Sequence, residues 1–240
     1  MVGPDMRDKM SEEEREQLDK KLLEACDLKD VTACIEAGAD VNYLNGQTSL
    51  YVSCQQNKPD IVQFLLDNNA DVNKTNNEGE TPLWVACYNN HRDIDVVQLL
   101  LANNADVNKA SNAGQTPLQW ANSEAVQLLL DNNADISKAD NKGCTPLWNA
   151  SSLGRSDVIK LLVANNADVN KANNDGKTPL WIASKEEHSD AVAQLLQANN
   201  INVNKTDNKG KFPLWFAIKT RNSNIAQLLL ANNADVNKTD

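Results

Sequence analysis

The sequence predicts an all-α helical repeat solenoid with β-turn tips: N-terminal capping helices, then six helix–turn–helix repeats, the third shortened. Three observations carry this. The phrase Asn-Asn-Ala-Asp-Val-Asn-Lys stands whole at Asn68–Lys74, Asn103–Lys109, Asn165–Lys171 and Asn232–Lys238, and returns altered at Asn132–Lys138 and Asn199–Lys205. Thr-Pro-Leu follows most copies, opening at Thr81, Thr116, Thr145 and Thr178, with worn versions at Thr48-Ser49-Leu50 and Phe212-Pro213-Leu214. These openings lie 33, 35, 29, 33 and 34 residues apart. A period in this range marks stacked units, each too small to bury a core of its own.

Residues 1–10 read as a flexible tail, of which Met1–Pro4 is compatible with a cloning remnant. The repeat domain runs over 11–240, with a cap at 11–42 and repeats near 43–75, 76–110, 111–139, 140–172, 173–206 and 207–240. Ser11-Glu12-Glu13-Glu14 has the form of a capping box, Ser11 as N-cap and Glu14 reaching back. The helix that follows is apolar at Leu18, Leu22, Leu23, Ala25 and Cys26 and charged elsewhere, as a terminal unit with one wet side requires. A second cap helix near Val31–Ala37 ends at Gly38.

Within a repeat, Thr81 is placed to cap the first helix, and Pro82 sits at the first helical position, where a missing N–H costs nothing. The pair recurs at Thr116-Pro117, Thr145-Pro146 and Thr178-Pro179; Phe212 lacks the cap. The second helix is apolar over a wide arc, as at Val96, Val97, Leu99, Leu100 and Leu101, so neighbours must cover it. It ends on Asn104, the residue type after Gly that best enters the left-handed conformation of a helix terminus. Asn69, Asn133, Asn166 and Asn233 hold the same slot. The 29-residue step leaves Thr116–Ser123 running almost directly into Glu124. Four missing residues are close to one helical turn, so helix phase survives while the hairpin shortens.

Net charge is −10 and the pI about 4.7. Nucleic-acid binding calls for a basic footprint, so this composition argues against it. No run of 18 apolar residues marks a membrane span, and the first ten residues lack the layout of a signal peptide. A cytoplasmic or nuclear protein is expected. Five cysteines without a secretory signal argue against a disulfide framework. Cys26, Cys54 and Cys87 share one slot late in the first helix, where Ser151, Ser184 and Ile218 stand in other units. Stacked helices lie about 10 Å apart, beyond the reach of a disulfide, so these are read as buried fillers. Cys144, in the loop before Thr145, is read as exposed.

The pattern of β-turn, Thr-Pro-Leu, two antiparallel helices and Asn-Asn-Ala-Asp-Val-Asn resembles the ankyrin repeat over Leu22–Asp240. In that family His91 and His188 fall where a Gly-His pair ties down the turn, which implies a structural role. Trp84, Trp148, Trp181 and Trp215 take a slot that usually holds His. Tyr51 and Gln119 occupy it in two other units. Period-locked aromatics read as scaffold between neighbouring units, each buried indole N–H requiring an acceptor such as a loop carbonyl; partner contact by the rings stays open. No phosphate loop, Cys-Xaa-Xaa-Cys pair or metal-binding helix motif occurs, so no catalytic residue, cofactor or metal is expected.

The resemblance implies that a partner docks on the concave face built from β-turn tips and first helices. The residues there that the motif leaves free are the candidate partner-binding set: Glu78, Glu80, Tyr88, Lys142, Leu153, Lys177, Lys185, Lys209 and Lys211, with Tyr88, Leu153, Glu80, Lys177 and Lys211 foremost. They run from acidic near Glu78 to basic near Lys177–Lys219, which suits a partner of matching polarity; solvating charges are the plainer reading. The expected function is non-catalytic protein–protein recognition, with no nucleic acid and no membrane. A spacer segment of a longer array and an engineered scaffold without natural partner remain open. A monomer is expected. Because no polar helix follows the last phrase, Leu229 and Leu230 are candidates for an apolar end face that associates end to end.

Overall fold

A computed structural model of the chain describes residues 7–25, 27–89 and 94–237. The tail before Arg7, Cys26 and His91 lie outside the described residues. Two compact units emerge, Met1–Asn112 and Ala113–Asp240. Among the described residues there are thirteen α-helices, two short 3-10 turns and no strand.

The first unit holds a 3-10 turn at Arg7–Lys9 and six helices. These are α1 (Glu12–Glu24), α2 (Leu28–Glu36), α3 (Ser49–Gln55), α4 (Pro59–Asp67), α5 (Pro82–Tyr88) and α6 (Asp95–Ala102). Odd-numbered helices pack on odd and even on even: α3 lies against α1 and α5, and α4 against α2 and α6. The expected capping box at Ser11 is present, Ser11 Oγ accepting from the Glu14 amide and the Glu14 carboxylate from the Ser11 amide. The expectation of a loose tail through residue 10 is corrected at Arg7. Its guanidinium donates to both oxygens of buried Asp19 at 2.8 and 2.7 Å, and to Gly38 O at 2.7 Å. A bidentate pair of this kind fastens Arg7 to the cap.

The second unit opens with a 3-10 turn at Pro117–Gln119. It continues with α7 (Ser123–Asp131), α8 (Pro146–Ser152), α9 (Ser156–Ala164), α10 (Pro179–Lys185), α11 (Ser189–Leu195), α12 (Pro213–Lys219) and α13 (Ser223–Ala231). Here α10 packs between α8 and α12, and α9 and α13 flank α11. In the first unit Leu83 of the Thr-Pro-Leu motif is buried, with Leu65 and Leu100 of the second helices; in the second unit Leu118, Leu147 and Leu180 are buried, with Leu129, Leu162, Leu195 and Leu229. Each contributes about 1.5–3 kcal/mol of burial.

Local signals act as read. Thr81, Thr145 and Thr178 accept from the backbone N–H of Trp84, Trp148 and Trp181, and Phe212 caps nothing. Asn69, Asn104, Asn133, Asn166 and Asn233 all sit at φ between 63° and 65°. Thr116 departs from expectation. It makes no cap bond, and its Oγ1 is buried without a hydrogen-bond partner among the described residues. The missing four residues removed the first helix of this repeat rather than shortening the hairpin evenly. Three residues of 3-10 turn remain, and Asn122 caps α7 two positions after Trp120.

The repeated phrase also does something its periodicity did not reveal. Its last Asn clamps the next repeat, as does Asn42 of the related Ala39-Asp40-Val41-Asn42 in the cap. Asn42 donates to Asn69 O at 3.1 Å and accepts from the Asp71 amide at 2.7 Å. Asn73 does the same to Asn104 and Asp106, Asn170 to Asn200 and Asn202, and Asn204 to Asn233 and Asp235. In the altered copy Ser137 turns back onto Asp135 instead. A cavity of about 240 Å³ lies there, lined by Ser137, Thr145, Ala167 and Asp168 among others.

The candidate end face is corrected as well. Leu229 is 0% exposed; the exposed apolar residues near it in sequence are Leu230 at 45%, Ile218 at 64% and Val236 at 67%.

Candidate protein-interaction surface

Four tips are each closed by one polar side chain that accepts two amides. Asn76 Oδ1 takes the N–H of Glu78 and Glu80; Asp140 takes Lys142 and Cys144; Asn173 takes Asp175 and Lys177; Asp207 takes Lys209 and Lys211. Adjacent tips are tied through their backbones, as in Asn174 N to Lys142 O and Asn208 N to Asp175 O. Gly176, at φ 81°, allows that approach, because a Cβ there would lie 2.5 Å from Asn208 Oδ1. Candidate residues on the tips therefore project from a backbone that is already fixed.

In four of the six units the slot held by Trp148 ties its segment to the following tip. Trp148 and Trp181 donate their indole N–H to Lys177 O and Lys211 O at 3.1 Å, the loop-carbonyl acceptors expected of scaffold tryptophans. Gln119 reaches Cys144 O at 2.8 Å in the shortened repeat. Tyr51 uses a side chain instead, its hydroxyl donating to Glu80 Oε2 at 2.8 Å. Burial, then the Glu80 carboxylate, pushes the Tyr51 hydroxyl well above its ordinary pKa. Asn76 also donates to Glu80, so this carboxylate, a foremost candidate for partner contact, is bonded within the scaffold. Glu78 stays exposed.

Four candidate lysines converge. A cleft of about 280 Å³ is lined by Lys177, Lys185, Lys209 and Lys211, by the rings of Trp181 and Phe216, and by Asp175, Asp207 and Asn208. Trp181 and Phe216 meet edge to face at 4.6 Å. The Lys177 ammonium lies 5.2 Å from the Trp181 ring centroid and 2.8 Å from Asp175 Oδ2. The bond from Lys177, then its charge, holds the Asp175 carboxyl below its ordinary pKa. Lys211 and Lys219 stand over Trp215 at 4.0 and 4.8 Å. Lys142, on an earlier tip, and Leu153, closing α8, are exposed outside this cleft. Tyr88, in the first unit, is 47% exposed and stacks on Trp84 at 4.9 Å.

Sequence reasoning passed over Phe216, which with Trp181 is core beneath the lysines, 7% and 3% exposed. A signal for the cluster was present: the last two repeats share one cassette, Lys177…Trp181…Lys185 and Lys211…Trp215…Lys219, found in no earlier unit. The charge is also divided. Residues 1–112 carry 20 acidic and 10 basic side chains, residues 113–240 carry 13 of each, so the whole net charge of −10 belongs to the first unit.

The described cysteines are buried. Cys54 and Cys87 are buried as fillers, and burial lifts the Cys87 thiol to about 12. Cys144 corrects the expectation of exposure: it is 3% exposed, its Sγ accepting from Asn173 Nδ2 at 3.8 Å, and burial first and Asp140 second push it to about 11. Its tip is covered by the next one, which a single repeat cannot disclose. His188 Nε2 meets Ser152 O at 3.1 Å, tying down the turn as the resemblance implied. Among the described residues no helix is long and apolar enough to cross a membrane.

A family model described as ankyrin repeats matches residues 20–111, 90–173 and 167–240. Three relatives illustrate the company the chain keeps. The tyrosine-protein kinase HTK16 of Hydra vulgaris is 32% identical over 82 residues, 31% of this chain and 11% of that protein. Ankyrin repeat domain-containing protein 40 of Homo sapiens is 33% identical over 87 residues, 34% of this chain and 24% of that protein. Regulatory protein NPR6 of Arabidopsis thaliana is 42% identical over 65 residues, 25% of this chain and 14% of that protein. The chain thus matches a quarter or less of the length of each of these.

Proposed function

The chain belongs to the ankyrin repeat family, a protein-interaction module, and we propose on that premise that it is a non-catalytic recognition module whose partner docks on the tips and first helices. The observation that carries this reading is the convergence of Lys177, Lys185, Lys209 and Lys211 with Trp181 and Phe216 on one cleft. None of these lysines is demanded by the repeat, and their backbones are held before any partner arrives. Little ordering entropy is then lost on association. A lysine rim suits a partner surface of opposite charge.

The test is capture of binding proteins by the wild type, by Lys177→Glu/Lys209→Glu/Lys211→Glu, and by Lys160→Glu, an exposed position on α9 away from the cleft. Partner capture should vanish with the triple reversal and survive the single control. Equal capture by all three proteins, each folded by circular dichroism, refutes the reading.

A further inference from the structure

We propose that Asn45 is a modification site, deamidated by water through a cyclic imide formed with the Gly46 amide. The inference goes beyond the recognition reading and does not depend on it.

The first tip is held differently from the later ones. Asn76, Asp140, Asn173 and Asp207 each accept two amides of their own turn. The first tip has Tyr43 at that place, a side chain with no carbonyl oxygen to offer. The peptide before the tip glycine registers the difference. At Glu78–Gly79, Lys142–Gly143 and Asp175–Gly176 it is fastened at both ends. Its carbonyl accepts from the amide of Asn112, Asn174 or Asn208, at 2.8, 3.0 and 2.9 Å. Its glycine N–H donates to the oxygen of Asn76, Asp140 or Asn173, at 3.1, 2.9 and 2.9 Å. At Asn45–Gly46 neither end is fastened: among the described residues the Gly46 N–H meets no acceptor and the Asn45 carbonyl no donor. The amide of Asn77 bonds Gly46 O instead, at 3.2 Å. There is also more room. A Cβ on Gly79, Gly143 or Gly176 would fall within 2.5 Å of the next tip's Asn Oδ1, whereas on Gly46 the nearest atom is Asn77 Nδ2 at 3.7 Å.

This unheld peptide is also the one Asn-Gly step in the chain. Asn45 is exposed, and its carboxamide forms no hydrogen bond among the described residues. Gly46 has no Cβ to shield its nitrogen and the widest freedom to turn it. Solvent base takes the Gly46 amide proton. The nitrogen attacks Asn45 Cγ and closes a five-membered imide; the Cγ–Nδ2 bond breaks, and ammonia leaves with a proton from solvent. Water then opens the imide at either carbonyl, giving an aspartyl or an isoaspartyl residue. The sum converts carboxamide and water into carboxylate and ammonium, with no oxidant and no cofactor. The tip gains one negative charge, and the isoaspartyl branch also lengthens the backbone just before the Thr48 cap.

The test ages four proteins together in warm neutral buffer: the full chain, Tyr43→Asn, Lys142→Asn and Asp175→Asn. The last two place the same dipeptide in tips that are already fastened. Peptide mass spectrometry scores conversion and isoaspartate, and circular dichroism verifies that each protein is folded. The wild type should convert at Asn45 before any other Asn. Positions 142 and 175 should convert about tenfold more slowly, the rate equivalent of one hydrogen bond that must first be broken. Tyr43→Asn, which restores the missing acceptor, should slow Asn45 by a similar factor. In urea all sites should react at comparable rates. An Asn45 that stays intact, equal rates at positions 45, 142 and 175 in the folded proteins, or a gap that persists in urea overturns the proposal.

Discussion

Replacing Ser137 by Asn should stabilise the protein. Asn73, Asn170 and Asn204 of the phrase, and Asn42 of the related Ala39-Asp40-Val41-Asn42 in the cap, each donate to the turn carbonyl of the next repeat and accept the amide two residues on. Ser137 occupies this slot in the shortened repeat and bonds Asp135 of its own turn at 2.7 Å. The positions an amide would reach in the next repeat are Asn166 O and the Asp168 N–H, and Asp168 already borders the cavity of about 240 Å³ beside Ser137. Two net hydrogen bonds contribute about 0.5–1.5 kcal/mol each, at the lower end on an exposed loop. Ordering the longer side chain offsets part of this, roughly 0.5 kcal/mol. A net gain of about 0.5 kcal/mol is expected for Ser137→Asn, a rise in Tm of roughly 1–2 °C at this chain length. The reciprocal Asn170→Ser should lose a similar amount. Thermal and urea denaturation of the two variants beside the wild type read it directly. A midpoint for Ser137→Asn at or below the wild type, or an unchanged Asn170→Ser, sinks the clamp argument.

Trp148→Phe removes the bond to Lys177 O and some buried ring area, and should cost about 2 kcal/mol. Trp215→Phe, which has no following tip to pin among the described residues, should cost less than half of that; equal losses in a urea series argue against the tip-pinning role. The cysteines predict an alkaline limb. Cys87 and Cys144 are raised from 9.0 to about 12 and about 11. A raised thiol stabilises the fold fully below its unfolded pKa, and the contribution is lost as pH climbs toward the folded value. Stability should fall from about pH 9 upward, less steeply in Cys87→Ala/Cys144→Ala, as urea midpoints between pH 7 and pH 10.5 can establish.

What was legible in the sequence is what acts within one repeat. Thr81, Thr145 and Thr178 cap a helix three residues away, Ser11 and Glu14 close a box on themselves, and the left-handed Asn residues end the helix that carries them. Such contacts depend only on neighbours in the chain, so residue type and spacing reveal them. The family followed from the same periodicity.

Other outcomes turn on residues one repeat away. Glu80 is a foremost candidate for partner contact in the sequence, yet Tyr51, 29 residues earlier, is bonded to it. Cys144 looked exposed, yet its thiol lies beside Asn173 of the next tip, also 29 residues off. Leu229 and Leu230 are adjacent in sequence and opposite in burial. The four lysines of the candidate cleft come from two successive repeats, and their convergence with Trp181 and Phe216 is set by how α10 lies on α12. By itself the sequence determined the repeat, its caps and its helix ends, because local backbone chemistry suffices for those. Only the tertiary structure decided which tip charges are spent on the scaffold and which face outward, because that depends on the register in which one repeat meets the next.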